Sequence, residues 1–140
     1  MCRGVGQREW LVSYEDEKES FGFSDLDVYK AAREYRKRVY KLVRQLPKEE
    51  IYALGMQMRR AAVSISSNIA EGHGRYNWQD NTRFCRIAKG SLAETVDGIN
   101  VCIDETYAAK EHLDDLKKDA ANLLRLLNGY IRYLQKQRAE

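Results

Sequence analysis

Residues 110–134 read KEHLDDLKKDAANLLRLLNGYIRYL, and the apolar members Leu113, Leu116, Ala120, Leu123, Leu127, Tyr130 and Leu134 recur at steps of 3, 4, 3, 4, 3 and 4. That spacing gathers them into one seam along an α-helix. Upstream, Cys85, Ala88, Leu92, Thr95, Ile99, Cys102 and Thr106 form a similar seam, with Asn77 as an acceptable cap before it. A rival start exists at Ser91-Leu92-Ala93-Glu94, a capping-box string after Gly90. One continuous helix is the better reading, because the apolar phase passes through Gly90 unbroken.

Further upstream, Ile51, Leu54, Met58, Ala62, Ile65 and Ile69 give a second helix running to about Glu71. Gly72-His73-Gly74 then supplies backbone freedom to leave it, and Gly55, Ala61 and Ala62 permit close helix approach. The first helix carries Val28, Ala32, Tyr35, Val39, Leu42 and Leu46, with Ser24 as its predicted cap and Phe23 stapled onto Val28. Pro47 stops it and opens the second helix, so Leu46-Pro47-Lys48 becomes a tight corner. Four amphipathic helices with short connections predict an all-α, antiparallel up-down-up-down four-helix bundle over residues 23–140. Residues 1–22 read as a flexible N-terminal tail, irregular in pattern and carrying the acidic run Glu15, Asp16, Glu17, Lys18, Glu19.

The composition agrees. The 140 residues, 16.3 kDa, suit a single domain. One proline, 32% charged residues and a mean hydropathy of −0.65 argue against a turn-rich β sandwich. Cys2, Cys85 and Cys102 are odd in number and widely spaced, which predicts neither a disulfide framework nor a metal half-site. With no apolar run of about 18 residues and no signal-peptide pattern, the expectation is a cytoplasmic protein with no membrane partner.

Chemistry is harder to find. No glutamate has a histidine three residues later, so a di-metal bundle site is not expected. His73 and His112 read as solvated residues, and Cys85 and Cys102 as buried structural thiols. Gly72-His73-Gly74-Arg75 follows a helix rather than a strand, unlike a phosphate-cradling loop. A polar stripe of Arg60, Ser64, Asn68 and Glu71 adjoins the second apolar seam. Ser91, Glu94 and Arg75 are its expected partners, in a network that fixes helix register. No catalytic residue, metal or cofactor is assigned, because no nucleophile–base pair can be named.

The string from Gln57 to Gly72, QMRRAAVSISSNIAEG, followed by Arg75 and by Phe84 to Glu94, FCRIAKGSLAE, closely resembles the bacterial four-helix-bundle family named for proteins encoded in intervening sequences of 23S ribosomal RNA genes. The resemblance extends to Phe23, Leu26, Val28 and Ala32, to the Leu46-Pro47 corner with Glu50, Tyr52 and Leu54, and to the leucines of the last helix. It covers roughly residues 23 to 135. Departures are mild: Ser66 stands where proline is common, Tyr29 where tryptophan is common, and Cys85 where a larger apolar residue is usual. The resemblance implies a homopentameric ring without established catalytic activity. It also implies kinship to the accessory proteins of diversity-generating retroelements, which bind nucleic acid and a reverse transcriptase.

Charge is unevenly placed. Residues 1–24 carry 3 basic and 5 acidic groups, residues 25–90 carry 14 and 7, and residues 91–140 carry 7 and 9. On the first helix Lys30, Arg33, Lys37, Lys41 and Arg44 recur at steps of 3, 4, 4 and 3, with Arg36 and Arg38 beside them. Arg59, Arg75, Arg83, Arg86 and Lys89 add positive charge from the next two helices. Repeated around a ring, this stripe would attract RNA or DNA phosphates, the expected function. The alternative is a protein-interaction scaffold, for example for a reverse transcriptase, using Trp10, Leu11, Tyr14 and Phe21 as apolar anchors.

Overall fold

The computed structural model describes residues 21–75 and 77–137; the expected tail anchors Trp10, Leu11 and Tyr14 lie outside them. The bundle helices are α1 (Asp27–Val43), α2 (Leu54–His73), α3 (Trp78–Asp104) and α4 (Lys110–Gln137). Neighbours pack in cyclic order, α1 on α2, α2 on α3, α3 on α4 and α4 on α1, so α1 and α3 lie diagonally across the core. This is the up-down-up-down bundle that the four seams predict.

The core consists largely of those seams. Leu42, Met58, Ile65, Ile69, Ile99, Leu113, Leu116, Leu123 and Leu127 are all at most 1–2% exposed. In α4 the phase shifts late: Ile131 is buried, whereas the predicted Tyr130 is half-buried at the edge, where its hydroxyl accepts a hydrogen bond from Asn81 Nδ2 at 3.1 Å. A Tyr needs a partner for its hydroxyl, and the edge supplies one.

Several ends differ from expectation. Ser24 does not cap α1; it sits in a 3-10 turn, Gly22–Asp25, and the cap position is Leu26, with no side-chain cap. Phe23 packs edge-on against Tyr29, ring centroids 5.0 Å apart, and against His73 at 6.3 Å. α1 stops at Val43, short of Leu46, although Leu46 stays buried. Pro47 caps a single helical turn, Lys48–Ile51, and the chain breaks at Tyr52-Ala53 before α2 begins. Close approach accompanies the break: a Cβ on Gly55 would lie 2.8 Å from Val43 Cγ1 and 3.3 Å from the Glu50 carbonyl oxygen.

Gly72 is not the exit from α2. The helix runs on through His73, and no glycine among the described residues has a positive φ. Gly72 is buried because α3 crosses over it: a Cβ there would lie 2.8 Å from Asn81 Oδ1 and 2.9 Å from Phe84 Cβ. α3 is continuous through Gly90, and its Asn77 cap accepts from the Asp80 amide at 2.8 Å. Thr106 is no seam residue; it is exposed beyond the end of α3 with φ 59°.

Candidate nucleic-acid interface

α1 turns its apolar seam inward, and helical phase therefore turns Lys30, Arg33, Lys37, Lys41 and Arg44 outward; all five are exposed. At 1.5 Å rise per residue the row is about 21 Å long. Lys37 Nζ meets Glu34 Oε1 at 2.9 Å, an exposed pair of small energetic weight. Arg33 lies 6.0 Å from the Tyr29 ring centroid. The two flanking arginines are drawn away: Arg36 donates to Ser66 Oγ at 3.3 Å, and Arg38 pairs with Asp119 of α4. Ser66 thereby gains a structural use as the acceptor that links α1 to α2.

The ten predicted basic residues do not form one surface. Arg83, Arg86 and Lys89 lie on α3, diagonal to α1: Arg83 joins Arg75 beside Phe84, Arg86 borders a cleft with Trp78 and Gln135, and Lys89 borders the α3–α4 groove. The Arg75 and Arg83 guanidinium carbons lie 4.8 and 5.1 Å from the Phe84 ring centroid, within cation–π range. Arg59 is half-buried on α2, beside Tyr40 and Val63 around a shallow hollow. Beside Arg86, a cleft of about 380 Å³ is lined by Trp78, Gln79, Thr82 and Gln135. The buried Thr82 hydroxyl has no hydrogen-bond partner among the described residues.

The predicted polar network is smaller than expected. Ser64 and Ser91 hydroxyls lie 2.8 Å apart, joining α2 to α3, and Asn68 Nδ2 donates to the Ser64 carbonyl at 2.7 Å and to its hydroxyl at 2.9 Å. Glu71 and Arg75 form their own exposed pair at 2.8 Å. Arg60 and Glu94 are exposed and join neither group. Arg60 and Glu94 stay exposed, while the shorter Ser64 and Ser91 are half-buried between α2 and α3.

A buried pair went unread in the sequence. Tyr35 Oη and Thr95 Oγ1 lie 2.7 Å apart across the diagonal, and Thr95 donates its one proton to the Leu92 carbonyl at 2.6 Å, so Tyr35 is the donor of the first bond. Burial pushes the Tyr35 phenol up to about 12. Burial likewise pushes the Cys85 and Cys102 thiols up to about 11, which keeps them protonated at neutral pH. His73 closes α2 and His112 lies in the first turn of α4, at the opposite end of the bundle. No helix among the described residues is long and apolar enough to cross a membrane.

Comparison with known proteins bears on the fold and the family. A solved structure from Bacteroides thetaiotaomicron, described as a protein with unknown function from the S23 ribosomal protein family, is 23% identical with a TM-score of 0.69. The match covers 74% of this chain and 97% of that one. None of the curated proteins matches. Residues 24–129 match the family model described as 23S rRNA-intervening sequence protein. That span takes in α1, α2, α3 and most of α4, and the chain belongs to the 23S rRNA-intervening sequence protein family.

Proposed function

We propose that this protein is a non-catalytic, homo-oligomeric accessory protein that binds the phosphate backbone of RNA or DNA along α1. The observation that carries this reading is the row of five exposed cations over about 21 Å, only one of which has an ion-pair partner among the described residues. Cations at this spacing neutralise successive phosphates and release counterions, which favours binding without reading bases. The cleft beside Arg86 offers aromatic and amide groups to an unpaired base, as single-stranded nucleic acid requires.

Assembly as the homopentamer that the resemblance implies would repeat the row five times and raise the summed field. Tyr52, Met56, Val63 and Ile87 are large apolar side chains left exposed, a surface that a second copy can cover.

The test is an electrophoretic mobility shift with RNA and DNA over a salt series. If each cation of the row meets one phosphate, log K falls against log salt with a slope of about −4.5, or roughly 500-fold between 50 and 200 mM. Replacing Lys37, Lys41 and Arg44 by Glu flattens that slope and abolishes most of the shift. Affinity that ignores salt, or that survives the triple reversal, overturns the reading. Recovery of a reverse transcriptase by a protein that shifts neither nucleic acid favours the scaffold role instead.

A further inference from the structure

The surface between α3 and α4 carries an apolar groove of about 360 Å³. Leu92 and Ala120 form its floor, and Val96 and Leu124 its walls; Leu124 is 38% exposed. The two charged residues that line it are both lysines, Lys89 and Lys117. Lys117 bonds only a neutral acceptor, Asn100 Oδ1 at 2.9 Å, so the groove is an apolar trough with uncompensated positive charge at its rim.

The chain itself contains a segment of matching chemistry. Residues 1–20 lie outside the described residues, and their sequence places Trp10, Leu11 and Tyr14 just ahead of Glu15, Asp16, Glu17 and Glu19. Three large apolar anchors followed by a net negative run complement an apolar trough with a lysine rim. Reach is sufficient. The described chain begins at Phe21, next to the 3-10 turn at the end of the bundle where α3 starts. Trp10 is eleven residues away, up to about 36 Å when extended. Leu92 lies fourteen residues along α3 from Trp78, about 21 Å. Crossing the bundle adds about two helix diameters, for a path of roughly 30 Å. The order also fits, since a chain entering from that end brings its acidic run past Lys89 before its aromatic anchors reach the deeper groove.

We propose that the N-terminal segment of this chain docks in its own α3–α4 groove, with the acidic run against Lys89 and Trp10 and Leu11 in the trough beyond it, towards Lys117. The docked segment covers an apolar surface that would otherwise face water, and it screens Lys89. The nucleic-acid reading is independent of this docking, because none of the five cations of the α1 row lines the groove.

Two measurements on the full chain test the docking. Zero-length carbodiimide cross-linking should join Lys89 to Glu15, Asp16 or Glu17. In a refolded mixture of 14N and 15N chains the links should be same-isotope only. In Trp78→Phe protein, where Trp10 is the sole tryptophan, emission should be shifted to the blue of the free peptide 1–20. Ala121→Glu at the exposed lip of the groove should return it to the peptide value, with helical circular dichroism unchanged. Absence of both the links and the blue shift overturns the proposal. So does a blue shift that Ala121→Glu leaves intact, which would place Trp10 elsewhere. Mixed-isotope links overturn the assignment to its own chain and identify a second copy as the occupant.

Discussion

Thr106 adopts φ 59°, a left-handed conformation costly for a β-branched residue. The position is imposed by the end of α3: the Tyr107 amide donates to the Cys102 carbonyl at 2.9 Å, and the Thr106 amide to the Ile103 carbonyl at 3.2 Å. That is a Schellman closure with threonine where glycine is usual. Thr106→Gly should stabilise the protein by about 1 kcal/mol, raising Tm by about 3 °C in a calorimetric scan. Tyr35 makes a second prediction at this scale. The folded chain holds its phenol proton to about 12, whereas the unfolded chain releases it near its ordinary value of 10.0. Stability is therefore fully present below pH 10 and falls as pH rises towards 12, by about 2–3 kcal/mol at most. Cys85 and Cys102, raised from 9.0 to about 11, begin the decline one pH step earlier. In urea titrations across pH 8 to 12, Tyr35→Phe should keep the fall that starts near pH 9 and shrink the part between 10 and 12. Neither Thr106 nor Tyr35 was legible in its role, because a helix end and a bond between residues sixty apart depend on where other segments lie.

Within single helices, the glycines of α2 and α3 look interchangeable in sequence and are opposite in effect. Gly90 is exposed, and a Cβ there would meet nothing within 4 Å. Gly90→Ala should add about 0.5–1 kcal/mol by removing a flexible residue from a helix interior. Gly72 faces Asn81 and Phe84 at under 3.0 Å, and one of its contacts is the Asn81 backbone carbonyl oxygen at 3.1 Å, which cannot swing aside. Gly72→Ala should cost about 2 kcal/mol by forcing α2 and α3 apart. Urea unfolding of both variants checks the pair, and equal effects would show that the α2–α3 crossing is not close-packed. The seams themselves were readable because helical period is a local property. The breaks at Val43 and at Tyr52-Ala53 were not, since the apolar phase carries through both while the backbone turns to let Gly55 approach Val43 and Glu50.

For the whole molecule, the decisive quantity is how often the α1 row is repeated. Under the proposed assembly, light scattering should return five times the 16.3 kDa chain mass, and a monomer would remove the amplification on which the proposed phosphate binding relies. The arrangement of the bundle also changes how the charge is counted. Along the chain, residues 25–90 form one block of fourteen basic and seven acidic groups. In space the block divides, because α1 and α3 stand at diagonally opposite corners of the bundle and Arg36 and Arg38 are tied to Ser66 and Asp119. Fold class, most of the four seams and the outward phase of Lys30 to Arg44 followed from residue order alone, since helical period acts over a few neighbours along one helix, and the family followed from the resemblance of the strings at residues 57–72 and 84–94. Which cations share a face, which stripe residues meet across α2 and α3, and where a trough opens between α3 and α4 were decided by packing. Those relations join residues far apart in the chain, and only the pairing of helices in three dimensions brings them within reach.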